Sequence, residues 1–434
     1  DPILKDLDWI ATDEMTNDHA DEWKDPGIVN KDIAFLQYTS GSTGSPKGVM
    51  VTHDNLLYNI YSTIYRYGLS ELDPKRNDSL VTWAPLFHDL GLIFCTLPPL
   101  YGGFPCYMMT PEAFIQRPIR WLETITKYGS TISGAPNFAY ELLTNRVSKE
   151  EVKTLDLSTW DIAMNGSEPV RAETLEKFVE HFAPAGFKPH YFSSAWGQAE
   201  TTIIITTTDK EVAPVIRNFD KEKIEKHIVS EIKADDKKSL RLVGHTMNLL
   251  DAKVIIVDPK KMTKCKEDEV GEIWVSGSTV TPGYFNKPKA NKETFQAYTK
   301  DTKEGPYLRT GDLGFIQGDQ LFITGRYKDL IIIRGQNHYP QDIELTVERS
   351  HPALRLGCEA AFSVDVDGEE QLVIVQEINK KYADKFDADE VCKAIRKAVS
   401  EEHNLNVYNI LLLKTGTVRK TSSGKIQRND NKHS

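Results

Sequence analysis

Residues 38–55 read YTSGSTGSPKGVMVTHDN, a crowd of glycine and hydroxyl residues set directly after the apolar run IAFLQY (33–38). That run has the length and content of a short buried strand, and GVMVT after the polar stretch is β-like. Thr52 is placed to cap a helix in which Leu56, Leu57, Ile60 and Ile64 recur at three- and four-residue spacing. The polar stretch is therefore a loop between regular elements. Gly41, Gly44 and Gly48 permit positive φ and close backbone approach, so that successive N–H groups can point at one anion. Ser40, Ser42, Thr43 and Ser45 add donors and Lys47 adds a charge, which suits a polyphosphate. The pattern is not G-x-x-x-x-G-K-[ST], because Pro46 precedes Lys47 and Gly48 follows it. A plain Gly/Ser turn is the alternative that composition leaves open.

The chain has 434 residues, 40% of them hydrophobic, and 53 basic against 63 acidic side chains, a net charge of −10. This length predicts two or three domains, or one large domain and a smaller one. The acidic balance argues against nucleic acid or an anionic membrane as partner. Cys95, Cys106, Cys265, Cys358 and Cys392 form no C-x-x-C pair or metal-ligand cluster, the pattern of reduced thiols. No apolar run approaches the ~20 residues of a membrane span. The opening DPILKDLDWIATDEM is too polar for a signal peptide, and the expected location is cytoplasmic. With no initiator Met and a polar 11–32, the chain reads as entering the middle of a larger unit whose N-terminal portion is missing.

From 33 to about 208, short apolar runs (DSLVTWAPLF, TISGAP) alternate with helical stretches at 112–127 and 171–182, an α/β pattern. Residues 209–240 are heavily charged and read as an inserted surface segment with a short helix near 221–228. From 241 to 325 the runs AKVIIVD, GEIWVSG, GDLGFI and QLFITG predict strands of a small distorted β-barrel. Residues 329–434, with helices at 342–350 and 388–403, predict a compact α+β domain.

Further motifs follow in order: HDLGL (88–92), GAPNFAY (134–140), NGSEPV (165–170), AWGQAET (195–201), YLRTGDLG (307–314), TGRYKDLIIIRG (324–335) and KTSSGKIQR (420–428). Together with the opening loop, this ordered set, spanning about 33–428, resembles the adenylate-forming superfamily of acyl-CoA synthetases, peptide-synthetase adenylation domains and luciferases. PNFAY, AET, LRTGDLG and RGQNHYPQDIE resemble its fatty acyl-AMP ligase branch most.

The resemblance implies an α/β fold in two parts. Residues 1–328 would form a large ATP- and acyl-binding domain of layered sheets plus the barrel. Residues 329–434 would form a small mobile α+β domain, hinged at Lys328 and Asp329. It also implies activation of a medium- to long-chain fatty acid to acyl-adenylate with ATP and Mg²⁺. Transfer to the phosphopantetheine thiol of an acyl carrier protein would follow, or to CoA if the chain belongs with the CoA synthetases. A non-catalytic acyl-nucleotide scaffold is a third reading, against which the retained Glu200, Asp312, Arg326 and Lys425 speak.

By the same resemblance, Thr39, Ser40, Gly41, Ser42, Thr43, Gly44 and Lys47 would hold the β- and γ-phosphates, and Glu200 would bind Mg²⁺. Gly166, Ser167, Glu168, Pro169, Trp196 and Gly197 would enclose the adenine. Asp312 and Arg326 would hold the ribose, and Lys425 would swing in to bridge the carboxylate and the α-phosphate. His88 would gate the acyl tunnel, with Trp83, Gly134 and Phe138 among its walls. Ala199 replaces a Thr that contacts phosphate in many members. Plainer readings stay open: Asp312 as a turn acid, Glu200 as a solvated helix-start acid, Trp196 and His88 as core, and Lys425 as a surface lysine. His181 and His190 have no metal partners at suitable spacing. The charged segment 209–240 stands where fatty acyl-AMP ligases carry an insertion. Val212, Val215, Ile216, Phe219, Ile224 and Ile228 are its candidate docking face.

Overall fold

Strands β1 (Ile33–Thr39) and β2 (Lys47–Thr52) pair antiparallel with Thr39 opposite Lys47, so they bracket the glycine-rich stretch. The computed structural model describes residues 10–11, 14–39, 46–69, 77–247, 250–366, 369–383, 385–421 and 424–432; the loop residues 40–45 lie outside that set. Thr52 caps the helix His53–Tyr67 as its sequence predicts. Its Oγ1 accepts from the Asn55 amide at 3.2 Å, and Asn55 Oδ1 accepts from the Thr52 amide at 3.2 Å. Ile60, Ile64 and Tyr67 are buried, but Leu57 lies on the outer face beside Tyr61 and Tyr65. The three-and-four spacing covers more of the helix circumference than the core does.

The centre of the large domain is a parallel sheet of β3 (Leu80–Thr82), β4 (Cys106–Met108), β5 (Ile132–Ala135), β6 (Ile162–Asn165) and β7 (Phe192–Ser194), in the order β4-β3-β5-β6-β7. The helical stretch at 112–127 is two helices, Pro111–Gln116 and Ile119–Tyr128. Pro118 supplies no N–H to continue the first and starts the second. Against one face of the sheet pack Trp121, Tyr140, Trp160, Phe178, Phe187 and Phe192, with ring centroids 4.9–5.6 Å apart in several edge-on pairs. Each polar tip finds an acceptor: Trp121 Nε1 donates to Ser133 Oγ (2.8 Å), Trp160 Nε1 to Ile162 O (2.9 Å) and Tyr140 OH to Met164 O (2.7 Å).

A second, antiparallel sheet combines β8 (Ile216–Asp220), β9 (Ser239–Thr246), β10 (Lys253–Val257), β11 (Gly271–Ser276), β12 (Leu308–Gln317) and β13 (Gln320–Arg326), in the order β10-β11-β12-β13-β9-β8. The region expected to be a small barrel is thus this six-stranded sheet, with β10 and β8 at its two edges. Edge strand β8 comes from the charged segment 209–240, which is therefore more than a surface loop. Phe219 and Ile224 are fully buried against Phe315, Phe322 and Tyr339, whereas Val215 and Ile216 are half-buried and Val212 and Ile228 are exposed.

Lys328 and Asp329 fall in the 3₁₀ turn Tyr327–Asp329 that follows β13. Beyond it come the hairpin β14 (Ile331–Ile333) and β15 (Gln336–His338), then the sheet β16 (Leu354–Val366), β17 (Glu369–Ile378) and β18 (Val407–Leu413). Helices Pro340–Arg349 and Ala388–His403 cover that sheet through Ile343, Val347, Val391, Ile395 and Val399. Among the described residues, no helix is long and apolar enough to cross a membrane.

The aromatic cluster makes a stability prediction. Trp121→Ala removes a fully buried ring and the indole donor to Ser133 Oγ, so it should cost ~3–5 kcal/mol, read as a lowered urea midpoint. A midpoint unchanged from the parent protein would show that the cluster does not hold the sheet together.

Candidate active site

The loops leaving the carboxyl ends of β5, β6 and β7 carry Asn137–Phe138, Gly166–Arg171 and Ala195–Glu200, and all three line one cavity of about 2030 Å³. A ligand site at the carboxyl ends of parallel strands is the usual outcome of this layer arrangement. The opposite wall is the end of the β12–β13 pair, and the small domain closes the top with Lys420, Thr421 and Gly424–Arg428. Thr39 and Lys47 reach the cavity from the hairpin. Ser40, Gly41, Ser42, Thr43 and Gly44 lie outside the described residues.

Asp312 and Arg326 face each other across the β12–β13 register. Arg326 Nε donates to Asp312 Oδ1 at 2.9 Å, and Trp196 Nε1 donates to Oδ2 at 3.0 Å. Both carboxylate oxygens are therefore held, and Asp312 is not a free turn acid. The charge of Asp312 raises the Arg326 pKa against the pull of burial, so the guanidinium stays charged. Trp196 serves two readings at once. It packs with Ile205, Ile273 and Leu321, yet it borders the cavity through its bond to Asp312. Close packing dictates the glycines here: a Cβ on Gly197 would lie 1.7 Å from Ile203 O, and one on Gly166 would lie 2.8 Å from Ala195 O.

Glu168 Oε1 accepts from the Phe138 amide at 2.5 Å, one of the unpaired N–H groups at the start of the helix Asn137–Arg146. Burial pushes its carboxyl up, opposed by that amide, Arg171 and Lys425. Asp89 Oδ1 lies 2.8 Å from His88 Nδ1 and accepts from the Leu90 amide at 2.8 Å. Burial works against the ionised Asp89, but the hydrogen bond and charge of His88, then the charge of Lys425, hold its carboxyl below the usual range. Glu200 Oε1 accepts from Tyr284 OH at 2.7 Å, and Lys47 Nζ sits 4.7 Å from the centre of the Tyr284 ring.

Lys425 comes from the small domain into this group. Its amide donates to Thr421 Oγ1 at 3.1 Å, and the preceding Gly424 lies beside the Phe138 ring. The side chain lines the cavity and is exposed to the solvent within it. Desolvation pulls its pKa below the usual lysine range, Asp89, Glu168 and Asp312 push it back, and Arg326 lowers it further. A lysine on an outer surface has no such set of neighbours.

Two expected tunnel residues do not reach the cavity. Trp83 is stacked on Phe114 at 4.1 Å inside the core, and the space beside Gly134 is filled by Met164 and Phe94. Phe138 does line the cavity, with Leu142, Met164, Ile203 and Ile204. Sequence reading passed over Tyr284, Asp89 and the ion pair between Arg171 and Glu348 of the small domain (3.2 Å). Asp89 at least sits inside a quoted motif, whereas Tyr284 carries no local signal.

A family model described as AMP-binding enzyme matches residues 2–285, well over half of the chain. The chain belongs to the AMP-binding enzyme family. A second model, described as Disco-interacting protein 2-like, AMP domain, matches residues 328–434. This AMP-binding chain is 45% identical over 428 residues to a medium-chain-fatty-acid–[acyl-carrier-protein] ligase of Moorena producens, covering 98% of itself and 71% of that protein. It is 36% identical to the ligase of the same description from Teredinibacter turnerae, covering 96% of itself and 65% of that protein. Among solved structures it is similar to the fatty acyl-adenylate ligase from L. pneumophila in complex with acyl adenylate and pyrophosphate. The TM-score is 0.71 at 39% identity, over 98% of this chain and 73% of that one. The resemblance read from the motifs to fatty acyl-AMP ligases therefore holds, and so does the α/β adenylate-forming fold.

Two predictions follow from the geometry. Asp312→Ala removes the one carboxylate that Trp196 and Arg326 share, and ATP affinity by calorimetry should fall ~10–100-fold, the scale of hydrogen bonds to a charged group. Undiminished affinity would remove Asp312 from the nucleotide site. The second concerns His245, which lines the cavity, is buried, and has its pKa lowered to about 4 by desolvation. The unfolded chain binds its proton near 6.5 and the folded chain only near 4, so stability falls as pH drops through that window, by up to ~1.4 kcal/mol per unit. His245→Gln should flatten the melting temperature against pH there, and an unchanged slope would assign it to other groups.

Proposed function

We propose that this chain activates a medium- to long-chain fatty acid as its acyl-adenylate and passes the acyl group to the phosphopantetheine thiol of an acyl carrier protein. The observation that carries the reading is the convergence of Lys425 with Asp312, Arg326 and Trp196 in a cavity that also receives Lys47, Glu200 and Phe138. One fatty-acid carboxylate oxygen attacks the α-phosphorus of ATP, the bond from that phosphorus to the bridging oxygen breaks, and pyrophosphate leaves. The thiol sulfur then attacks the acyl carbonyl, loses its proton, and AMP leaves.

Two anions meet in the first step, so the chain has to neutralise charge and align the attack. In this reading Lys425 would bridge the carboxylate and the α-phosphate, and Lys47 and Thr39 would face the β- and γ-phosphates; all three line the cavity. Asp312, held by Arg326 and Trp196, would accept from the ribose hydroxyls. Phe138, Leu142, Ile203 and Ile204 supply apolar wall for an acyl chain.

The residues also fit Mg²⁺. Glu200 offers one hard oxygen ligand, and among the described residues no group of three or more His, Cys, Asp or Glu is placed to cage an ion. That suits an ion carried in on the triphosphate and keeping most of its waters. Mg²⁺ bound there would neutralise phosphate charge.

The acyl-AMP reading, over CoA ligation, is supported by the charged segment 209–240. Lys221 Nζ lies 3.0 Å from His403 Nδ1, and the Glu225 carbonyl accepts from Asn337 Nδ2 at 3.0 Å. Glu225 Oε1 lies 3.3 Å from His338 Nδ1. His403, Asn337 and His338 belong to the small domain, so these contacts tie it to the large one and oppose its rotation about Lys328 and Asp329.

With ATP, Mg²⁺, fatty acid and CoA, mass spectrometry should find acyl-AMP accumulating with little acyl-CoA. Abundant acyl-CoA would move the chain to the CoA ligases. Lys425→Ala should still bind ATP but release pyrophosphate ~10²–10³-fold more slowly, the loss expected for one electrostatic stabiliser; near-normal release would sink its role.

A further inference from the structure

We infer that Tyr284 is a positioning residue of the phosphate and metal end of the site, fixing the Glu200 carboxylate through its hydroxyl and Lys47 through its ring. The inference rests on the adenylating function proposed above and assigns a residue that none of the quoted motifs contains.

Tyr284 lies in the connection between β11 and β12 and is pinned from two sides. The amide of Met50 donates to Gly283 O at 2.9 Å, and that of Phe285 donates to Gly48 O at 2.8 Å, so the segment runs antiparallel beside β2. Asn291 clasps the Tyr284 backbone, its Oδ1 accepting from the amide at 2.7 Å and its Nδ2 donating to the carbonyl at 2.9 Å. The ring packs on Phe295 (centroids 5.1 Å) beside Val49, Ala199 and Leu308. The residue is only 5% exposed, and its side chain has little freedom.

From that rigid seat the hydroxyl donates to Glu200 Oε1. The backbone of Glu200 is held by the same segment, its carbonyl accepting from the Thr281 amide (3.0 Å) and from Thr281 Oγ1 (3.1 Å). Among the described residues, Oε2 has no hydrogen-bond donor. A carboxylate with one oxygen tied by a neutral donor keeps its full charge and a single orientation, and its second oxygen remains for a cation. A lysine or arginine on Oε1 would have cancelled that charge.

The face of the same ring holds Lys47 Nζ at 4.7 Å. A cation over an aromatic face is stabilised without a counter-ion. Lys47 and Glu200, of opposite charge and both lining the cavity, are thus held by one side chain that separates them. Each stays available to the triphosphate and its metal rather than to the other.

Tyr284→Phe keeps the ring and deletes only the donor, so it tests the claim with little risk to folding. Binding of Mn²⁺·ATP is measured by water-proton relaxation without fatty acid, beside binding of metal-free AMP and the melting temperature. The expected result is about tenfold weaker Mn²⁺·ATP binding, unchanged AMP binding, an unchanged melting temperature, and a raised Mg²⁺ requirement for pyrophosphate release that excess Mg²⁺ overcomes. Mn²⁺·ATP binding equal to that of the parent protein would overturn the inference. So would equal losses for AMP and Mn²⁺·ATP with a lowered melting temperature, the mark of a purely structural tyrosine. If the parent protein itself binds no Mn²⁺·ATP, the proposed function fails instead.

Discussion

Two negatively charged reactants, a carboxylate and a triphosphate, have to be brought within bonding distance inside a protein of net charge −10. The whole site is arranged around that repulsion. Its floor carries Asp89, Glu168, Glu200 and Asp312, and each is paired before a substrate arrives: with His88, the Phe138 amide, Tyr284, and Arg326 with Trp196, respectively. Lys47 and Lys425 are left facing the cavity. Lys425 is the more telling of the two, because desolvation and Arg326 lower its pKa while Asp89, Glu168 and Asp312 raise it. A cation so placed gains when anionic oxygens enter, which is where a charged transition state takes its stabilisation.

The small domain carries that cation, and its contacts with the large domain are of two kinds. Near the turn Tyr327–Asp329, Gln341 Nε2 of the small domain donates to Thr324 O of the large one at 2.6 Å. Within the small domain Arg428, three residues past Lys425, donates to both Asp329 and Glu344, which joins that turn to the loop that carries Lys425. Farther out, Lys221 and Glu225 of the charged segment meet His403 and His338. The Arg171–Glu348 pair adds a cross-domain contact among carboxylates, with Glu359 beside it pushed well up by burial and then by Glu348. Lys221 and Glu225 thus give the charged segment a share in the contact between the two domains.

The parallel sheet, the Thr52 cap and the two helices of the small domain were legible because each rests on a local rule, whether alternation, capping or helical spacing. So were Asp312, Trp196, Glu200 and Lys425, as members of an ordered motif set. What was not legible depends on three-dimensional partners. Leu57 has the spacing of a buried residue but the wrong face of its helix. Trp83 and Gly134 look like tunnel walls and are packed in the core, since an aromatic or a glycine reads the same in either place. The β8 strand hid in a charged segment because an edge strand buries only a few side chains, here Phe219 above all. Tyr284 was invisible because its partners are distant in sequence, Glu200 at its hydroxyl 84 positions away and Lys47 over its ring.

The most direct test is a crystal structure with a non-hydrolysable acyl-adenylate analogue bound. The account predicts adenine between Gly166–Pro169 and Trp196, ribose hydroxyls on Asp312, the acyl chain past Phe138, and Lys425 Nζ within hydrogen-bond distance of the bridging oxygen between acyl and phosphoryl groups. An analogue bound elsewhere, or bound there with Lys425 turned away from that oxygen, would contradict it.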